Sequence, residues 1–401
     1  MTVCQGEVAV VDMAQALRGD AKSLVTTVPS AEIESIFAFS SFTAVSYRID
    51  GEPAVGIIEF AKPRETGMPA LERIHKLQFE PDYLTVQVDD QLDWRCPELQ
   101  GTVTSFVLAP SPWSTRPENY QEPIVLPQSG TYVQLRVWAP SEGGEKIPIT
   151  IAFNEAMVAA PRPLVLNVYG AYGVSFEPVY SVGTYSLLDR GVILAVAHVR
   201  GGGEKGREWH RSAQNLHKHK SVDDFVSVAQ HLVDEGWTRR GAIVAQGVSA
   251  GGTVVGAALN RATGLFAAAV VSVPFVDPLT SMLDKSNPLS EVEIPEWGDP
   301  TNDRHAYEAL RRLSPYESVN DRTEYPAVLA TAARNDFRVP AGEVTKWVHA
   351  LRRAGSEALL IVDMNSGHEG PMSDHANRLA FANQLAWTLS NLPSHLGRAA
   401  P

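Results

Sequence analysis

Two hydropathy patterns divide the chain. Over residues 1–125, short apolar runs at 33–45, 55–60, 84–88 and 103–108 are separated by segments containing Gly, Pro and Asp. That is the pattern of short antiparallel strands. A hairpin is predicted next, because 132–138 and 147–153 alternate or run apolar and are joined by the turn-rich 140–146. After Pro163, strand, loop and helix alternate. Residues 164–169 form a largely apolar run, as expected of a strand buried on both faces. The runs 192–199, 242–246, 267–273, 327–332 and 358–362 repeat it. Amphipathic helices are predicted between them. In 221–236, Val222, Phe225, Ala229, Leu232 and Val233 fall at three- and four-residue spacing. Ser221 is its expected N-cap, Asp223 and Asp224 fill the first turn and Gly236 ends it. This alternation predicts a mostly parallel sheet with helices on both faces. The expected division is a β-rich region over 1–125 and an α/β domain over 126–401.

The sharpest chemical signal lies within that second half. Gly247-Val-Ser249-Ala-Gly251-Gly252 follows the strand ending at Gln246 and opens a helix of small residues over 251–259. This is a G-x-S-x-G elbow in the strand-turn-helix context that the motif requires, and it predicts an α/β-hydrolase fold. A serine on so sharp a turn needs small neighbours so that strand and helix can pass closely. The helix N-terminus then points free amides at a developing oxyanion. A nucleophilic serine also needs a base, and the base an orienting carboxylate. In this fold they follow in the order Ser, Asp, His, on loops at the carboxyl ends of strands. Asp336 stands just past the strand 327–332, and His368 just past the following strand, with Gly367 and Gly370 close by. Ser249, Asp336 and His368 are therefore the expected nucleophile, acid and base.

Other candidates fit less well. Asp363 is too near His368 in sequence to approach it from another strand loop. His375 falls inside a predicted helix. His217 and His219 lie in a polar, basic stretch over 215–220 and read as solvated. His368-Glu369 does not begin an H-E-x-x-H zinc helix, since residue 372 is Met. The glycine run after Arg200 has no following P-loop Lys-Ser pair, so it reads as a tight loop packed beneath the active site. No metal or other cofactor is expected.

Composition narrows the picture further. The chain has 401 residues, of which 44% are apolar, enough for a large core, and a net charge of −12. An acidic balance excludes a nucleic-acid footprint and is compatible with cationic substrates. The two cysteines, Cys4 and Cys96, are too few for a disulfide framework or a structural zinc site and read as free thiols in a reducing compartment. Residues 1–20 lack a basic head, and Asp12 interrupts their only apolar run, so no secretory signal is expected. No uncharged apolar stretch reaches about 18 residues, which argues against a membrane span. A cytoplasmic enzyme is the expectation.

At the motif residues the chain resembles the catalytic domain of the prolyl oligopeptidase family, and within it the oligopeptidase B branch. The resemblance spans 164–392. It is carried by Tyr169-Gly-Ala-Tyr-Gly173, Leu188-Asp-Arg-Gly191, His198-Val-Arg-Gly-Gly-Gly-Glu204, Gly247 to Gly252, Val273-Pro-Phe-Val-Asp277, Glu296-Trp-Gly-Asp-Pro300 and Asp363-Met-Asn-Ser-Gly-His368. It implies a serine peptidase acting on short peptides, with Tyr169 and the amide of Ala250 as the oxyanion hole. It also implies acidic substrate-binding residues for a basic side chain. Glu293 matches one pocket carboxylate, while its companion position is Pro295, with Glu296 adjacent. Of a second acidic pair, Glu177 is present and the other position is Val179.

A further departure concerns the family's seven-bladed propeller. A blade takes about 40 to 50 residues, so seven need roughly 300. The 125 residues before the hairpin suffice for two or three. The chain is then a fragment, a naturally shortened enzyme with an open site, or a protein whose unclosed strand edges self-associate. Three functions remain in view: a peptidase, an esterase, thioesterase or acyltransferase built on the same triad, and a non-catalytic interaction protein. The intact triad disfavours the last.

Overall fold

The computed structural model describes residues 32–49, 51–60, 71–90, 93–128, 130–157 and 162–393, with three short strands before them. The thiol of Cys4 and most of the 1–20 segment lie outside the described residues; Cys96 is a free thiol. By internal contacts the chain forms two compact units. One comprises Met1–Gly130, Glu177–Tyr180 and Glu204–Arg207, and the other comprises Thr131–Phe176, Ser181–Gly203 and Glu208–Pro401.

Among the described residues the first unit is mostly β, with one 3-10 turn at Pro117–Asn119. Glu32–Ala38, Thr43–Ile49, Glu52–Phe60 and Leu71–Lys76 form a four-stranded antiparallel meander, and Thr85–Val88, Leu99–Thr104 and Ser111–Thr115 a three-stranded one. Thr2–Cys4, Glu7–Val10 and Leu24–Thr26 make a further small sheet. Period-2 alternation explains how one strand serves two cores. In Glu52–Phe60, Val55 and Ile57 join a cluster with Leu99, Val103 and Trp113, while Ala54 and Ile58 join another with Ile33, Val45 and Tyr47. The single apolar run expected over 33–45 is two strands, separated by a turn in which the Phe39 amide donates to the Phe42 carbonyl at 2.9 Å.

The second unit is built on one eight-stranded sheet. Its strands are β1 (Tyr132–Pro140), β2 (Lys146–Asn154), β3 (Leu164–Val168), β4 (Ile193–Ala197), β5 (Ile243–Val248), β6 (Phe266–Ser272), β7 (Ala327–Ala333) and β8 (Ala358–Asp363). They lie in the order β1-β2-β4-β3-β5-β6-β7-β8. The β1–β2 and β2–β4 pairs are antiparallel and all others parallel. The mostly parallel sheet is the one that the strand-helix alternation predicts, and the architecture is the α/β-hydrolase fold that the elbow predicts. The central strands are buried on both faces: all of Ile193–Ala197, and Leu164, Val165, Leu166 and Val168 in β3.

Two expectations are corrected. The apolar run of β8 predicts burial on both faces, but among the described residues it has a neighbour on one side only, and Leu359, Ile361 and Val362 are exposed. The helix expected over 221–236 spans His219–Asp234, so Ser221 lies inside it and is not its cap. The buried Ser221 hydroxyl lies 2.7 Å from the Arg200 carbonyl and 3.2 Å from that of Gly170, tying two loops of the sheet edge to the helix.

Candidate active site

The parallel registers bring several strand ends to one edge of the sheet. Val168 is level with Gly247, Gly247 with Val271, and Ala333 with Asp363. The residues that follow, Tyr169, Ser249, Asp336 and His368, therefore emerge at the same edge, which is where open α/β sheets hold their ligands.

Ser249 sits between β5 and the helix Ala250–Arg261 with φ 52° and ψ −119°, a conformation a side-chain-bearing residue rarely adopts. Its amide donates to the Ser272 carbonyl, and its carbonyl accepts from Gly252 and Phe275, all at 2.9 Å. The motif glycines are required by close approach. A Cβ at Gly247 would meet the Gly251 carbonyl at 2.4 Å, one at Gly251 the Val168 carbonyl at 2.5 Å, and one at Gly252 the Pro274 ring at 2.3 Å.

His368 Nε2 lies 3.0 Å from Ser249 Oγ, and its Nδ1 lies 2.7 Å from Asp336 Oδ2. Two loop bonds bring acid and base together: the Arg334 amide donates to the Asp363 carbonyl at 2.8 Å and the Asn335 amide to the Ser366 carbonyl at 3.1 Å. The other carboxylate oxygen of Asp336 accepts from the amides of Arg338 and Val339, at 2.8 and 2.9 Å. Burial opposes ionisation of Asp336. The His368 hydrogen bond and the two amides outweigh it and hold the carboxyl below its ordinary value. Asp363 instead accepts from the Asn365 and Ser366 amides in its own turn, and His375 is exposed on the helix Asp374–Asn391. His217 and His219 are exposed too.

Tyr169 comes just after β3, and the Ala250 amide, next to Ser249 in sequence, opens the elbow helix. As the first helical residue, Ala250 has no earlier turn to bond. Among the described residues the Tyr169 hydroxyl makes no hydrogen bond. Burial, then the Glu296 and Glu293 carboxylates, push its phenol upward, so it keeps its proton as a donor. A cavity of about 510 Å³ opens beside Ser249, lined among others by Tyr169, Tyr172, Phe275, Glu293, Arg338 and His368.

The expected substrate carboxylates are placed differently from one another. Glu293 lines the cavity and accepts from the Tyr172 hydroxyl at 2.8 Å. Glu296 does not line it. It is buried, and its oxygens accept from the Tyr172 amide at 2.9 Å, from Gln214 at 3.2 Å and from Lys218, with His210 Nε2 at 2.8 Å. A carboxylate so occupied has no lone pair left for a ligand. Glu177 belongs to the β-rich unit, where it is ion-paired with Arg48. The basic stretch 215–220 is not wholly a loop, since a helix starts at His219, and Lys218 between the two exposed histidines is buried against Glu296. Tyr172, Arg338 and Lys218 escaped the sequence reading. Only Tyr172 carried a signal, its place in the Tyr169–Gly173 motif. Among the described residues no group of three His, Cys, Asp or Glu could hold a metal ion, and no helix is long and apolar enough to cross a membrane.

Comparison with known proteins adds to this geometry. The model of the prolyl oligopeptidase family matches residues 178–395. Protease 2 of Moraxella lacunata is 37% identical over 277 residues, covering 67% of this chain and 40% of its own length. Dipeptidyl aminopeptidase BI of Pseudoxanthomonas mexicana is 35% identical over 277 residues, covering 68% of this chain and 38% of its own. Among solved structures, oligopeptidase B from Leishmania major matches with a TM-score of 0.84 at 28% identity, over 98% of this chain and 58% of that one. Oligopeptidase B from Trypanosoma brucei, in a closed form with antipain covalently bound, matches at 0.80 and 30% identity, over 92% and 53%. The chain thus spans about 40% of the length of these curated relatives.

Proposed function

Because the chain belongs to the prolyl oligopeptidase family, we propose that it is a serine peptidase that hydrolyses oligopeptides through an acyl-enzyme. The observation that carries this is the continuous contact from Ser249 through His368 to Asp336. Ser249 Oγ attacks the scissile carbonyl carbon while His368 Nε2 takes its proton. Asp336 holds the imidazole by Nδ1 and stabilises the imidazolium. The negative charge on the former carbonyl oxygen is met by the Tyr169 hydroxyl and the Ala250 amide, groups already fixed before charge develops. The tetrahedral intermediate collapses as His368 hands its proton to the departing amine. Water, deprotonated by the same nitrogen, then attacks the ester; Ser249 leaves with the proton and the acid is released.

Glu293 is the acidic group of the cavity that would favour Arg or Lys before the cut, since a partly buried carboxylate pairs well with a cation there. Glu177 and Glu296 are engaged by this chain's own cations and are not part of that preference. The reading places the enzyme in the cytoplasm, in keeping with its few cysteines. Association through free strand edges is a further part of it, to be tested by sedimentation across concentration.

The decisive assay compares kcat/KM on Arg-, Lys-, Pro- and Ala-containing peptide amides with the matching esters, beside labelling by a fluorophosphonate. Ser249→Ala should abolish both turnover and labelling. Glu293→Gln should lower kcat/KM for Arg and Lys substrates about 10–100-fold and leave the Ala substrate within about twofold. Ester turnover without amide turnover would replace the peptidase by an esterase, and an unlabelled parent would remove the enzyme altogether.

A further inference from the structure

The loop that carries Tyr169 is held in a conformation its own sequence does not favour. Gly170, Tyr172 and Gly173 all have positive φ, at 70°, 58° and 64°. Tyr172 is the costly one, because a bulky side chain in this region is strained and persists only where its surroundings over-determine it. Those surroundings converge on one buried ion pair. Glu296 Oε1 accepts from the Tyr172 amide at 2.9 Å, and Lys218 Nζ donates to the Gly170 carbonyl at 3.1 Å and to Glu296 itself. The pair thus grips the loop by one donor and one acceptor, two residues apart, immediately after Tyr169. Lys218 also lies over the Trp297 ring, 5.0 Å from its centroid, and Trp297 Nε1 donates to the Tyr172 hydroxyl at 2.9 Å. His210 and Gln214 occupy the remaining carboxylate oxygen at 2.8 and 3.2 Å.

A buried ion pair is weak evidence for stability, since desolvation offsets much of the attraction; its best-attested use is to specify one geometry. We propose that Glu296 and Lys218 are positioning residues that fix the Tyr169–Gly173 loop so that the Tyr169 hydroxyl is aimed at the oxyanion. Resting on the reading of Tyr169 given above, this assigns Glu296 to the transition state through the loop, and not to the substrate side chain.

The test is a double-mutant cycle on the full chain. Tyr169→Phe should lower kcat about 100-fold, the loss of one oxyanion donor. Glu296→Gln should lower kcat about 10–100-fold with KM for a neutral peptide within about twofold. In the Tyr169→Phe background, Glu296→Gln should lower kcat by less than about threefold, because the group it positions is gone. Should the uncompensated Lys218 prevent folding, the neutral pair Lys218→Met with Glu296→Gln is used in the same cycle and should lose kcat with little loss of melting temperature. Equal losses of kcat in both backgrounds, or an unchanged kcat, would overturn the proposal. Failure of Ser249 labelling in the parent would instead overturn the serine-hydrolase reading on which it stands.

Discussion

Ser249 combines a strained backbone with an ordinary hydroxyl, and the reactivity proposed for it rests on its neighbours. The hydroxyl faces a nitrogen whose ring is anchored by Asp336, and Asp336 is anchored in turn by two amides of its own loop. Such nesting fixes the imidazole tautomer by geometry. A second carboxylate behaves oppositely. Glu343 is buried behind the cavity wall, where its oxygens accept from the Asp277 amide at 2.6 Å and the Ser281 hydroxyl at 2.9 Å. Burial pushes its carboxyl from the usual 4.5 up to about 7, although these bonds pull it down; the nearby Asp277 charge adds to the rise. Lys346, paired with Asp277 at 2.5 Å, is the cation on the other side of that group. With its folded value raised, Glu343 contributes stability in full below about 4.5 that is lost as pH rises through about 7. The loss amounts to about 3 kcal/mol at one pH unit per 1.4 kcal/mol. Glu343→Gln, isosteric and uncharged, should flatten this limb. Urea unfolding at pH 5 and pH 8 measures it, and an equal pH difference in parent and variant would contradict the assignment.

At the scale of the element, the elbow is a matter of clearance. The start of the helix Ala250–Arg261 passes so close to β5, to the end of β3 and to Pro274 that Gly247, Gly251 and Gly252 respectively leave no room for a methyl group. Gly251 is the tightest against the neighbouring strand, its absent Cβ falling 2.5 Å from the Val168 carbonyl and 3.2 Å from the Tyr169 Cα. Gly251→Ala should therefore push the helix start away from β3 and cost on the order of 1–3 kcal/mol, the usual range for overpacking. Because the same contact spaces Ser249 from Tyr169, fluorophosphonate labelling should slow by more than tenfold. A variant of parental stability and labelling rate would mean that the glycine is there for another reason. The short helix Leu289–Trp297 works by similar economy: Glu293 reaches the cavity while Glu296 and Trp297 brace the Tyr169–Gly173 loop. Pro295, inside that helix, stands where the family resemblance placed a second pocket carboxylate, so the cavity has one acidic group from this element where two were expected.

At the scale of the whole molecule, the proposed peptidase activity predicts an effect of charge on the approach of substrate. The net charge of −12 gives a negative field, and among the described residues the cavity lining has Glu293 and Glu369 beside one Arg338. Arg338 is itself paired with Glu369 at 2.9 Å. A cationic peptide should be drawn to this surface and an anionic one repelled. Raising ionic strength from about 10 mM to about 0.5 M shortens the Debye length from about 30 Å to a few ångströms. Over that range kcat/KM for a dibasic peptide should fall several-fold, and that for an uncharged peptide should stay flat. Parallel salt dependence of both would show that steering plays no part. The β-rich unit contributes separate sheets with their own two cores, and Glu177 is taken up there by Arg48.

Local chemistry was enough to mark the architecture and the three residues, Ser249, Asp336 and His368, that the fold brings into contact. Apolar runs of strand length alternating with helical spacing admit few packings, and a glycine-flanked serine after a strand has one common use. Ser249, Asp336 and His368 could be named from order and position because each follows a strand on its own short loop. Tertiary structure alone decided which carboxylate faces the cavity. Glu293 and Glu296 lie one helical turn apart and look alike in sequence, yet one lines the cavity and the other meets Lys218, a residue 78 positions away. Nothing in the polar, basic stretch around Lys218 marks it for burial. Its burial depends on the fold bringing Gly170, Glu296 and Trp297 around it. Likewise β8 has the composition of an interior strand, and only sheet order reveals it as an edge. Pattern along a chain reports what a residue prefers; partners brought from far along the chain determine what an ionisable group finally does.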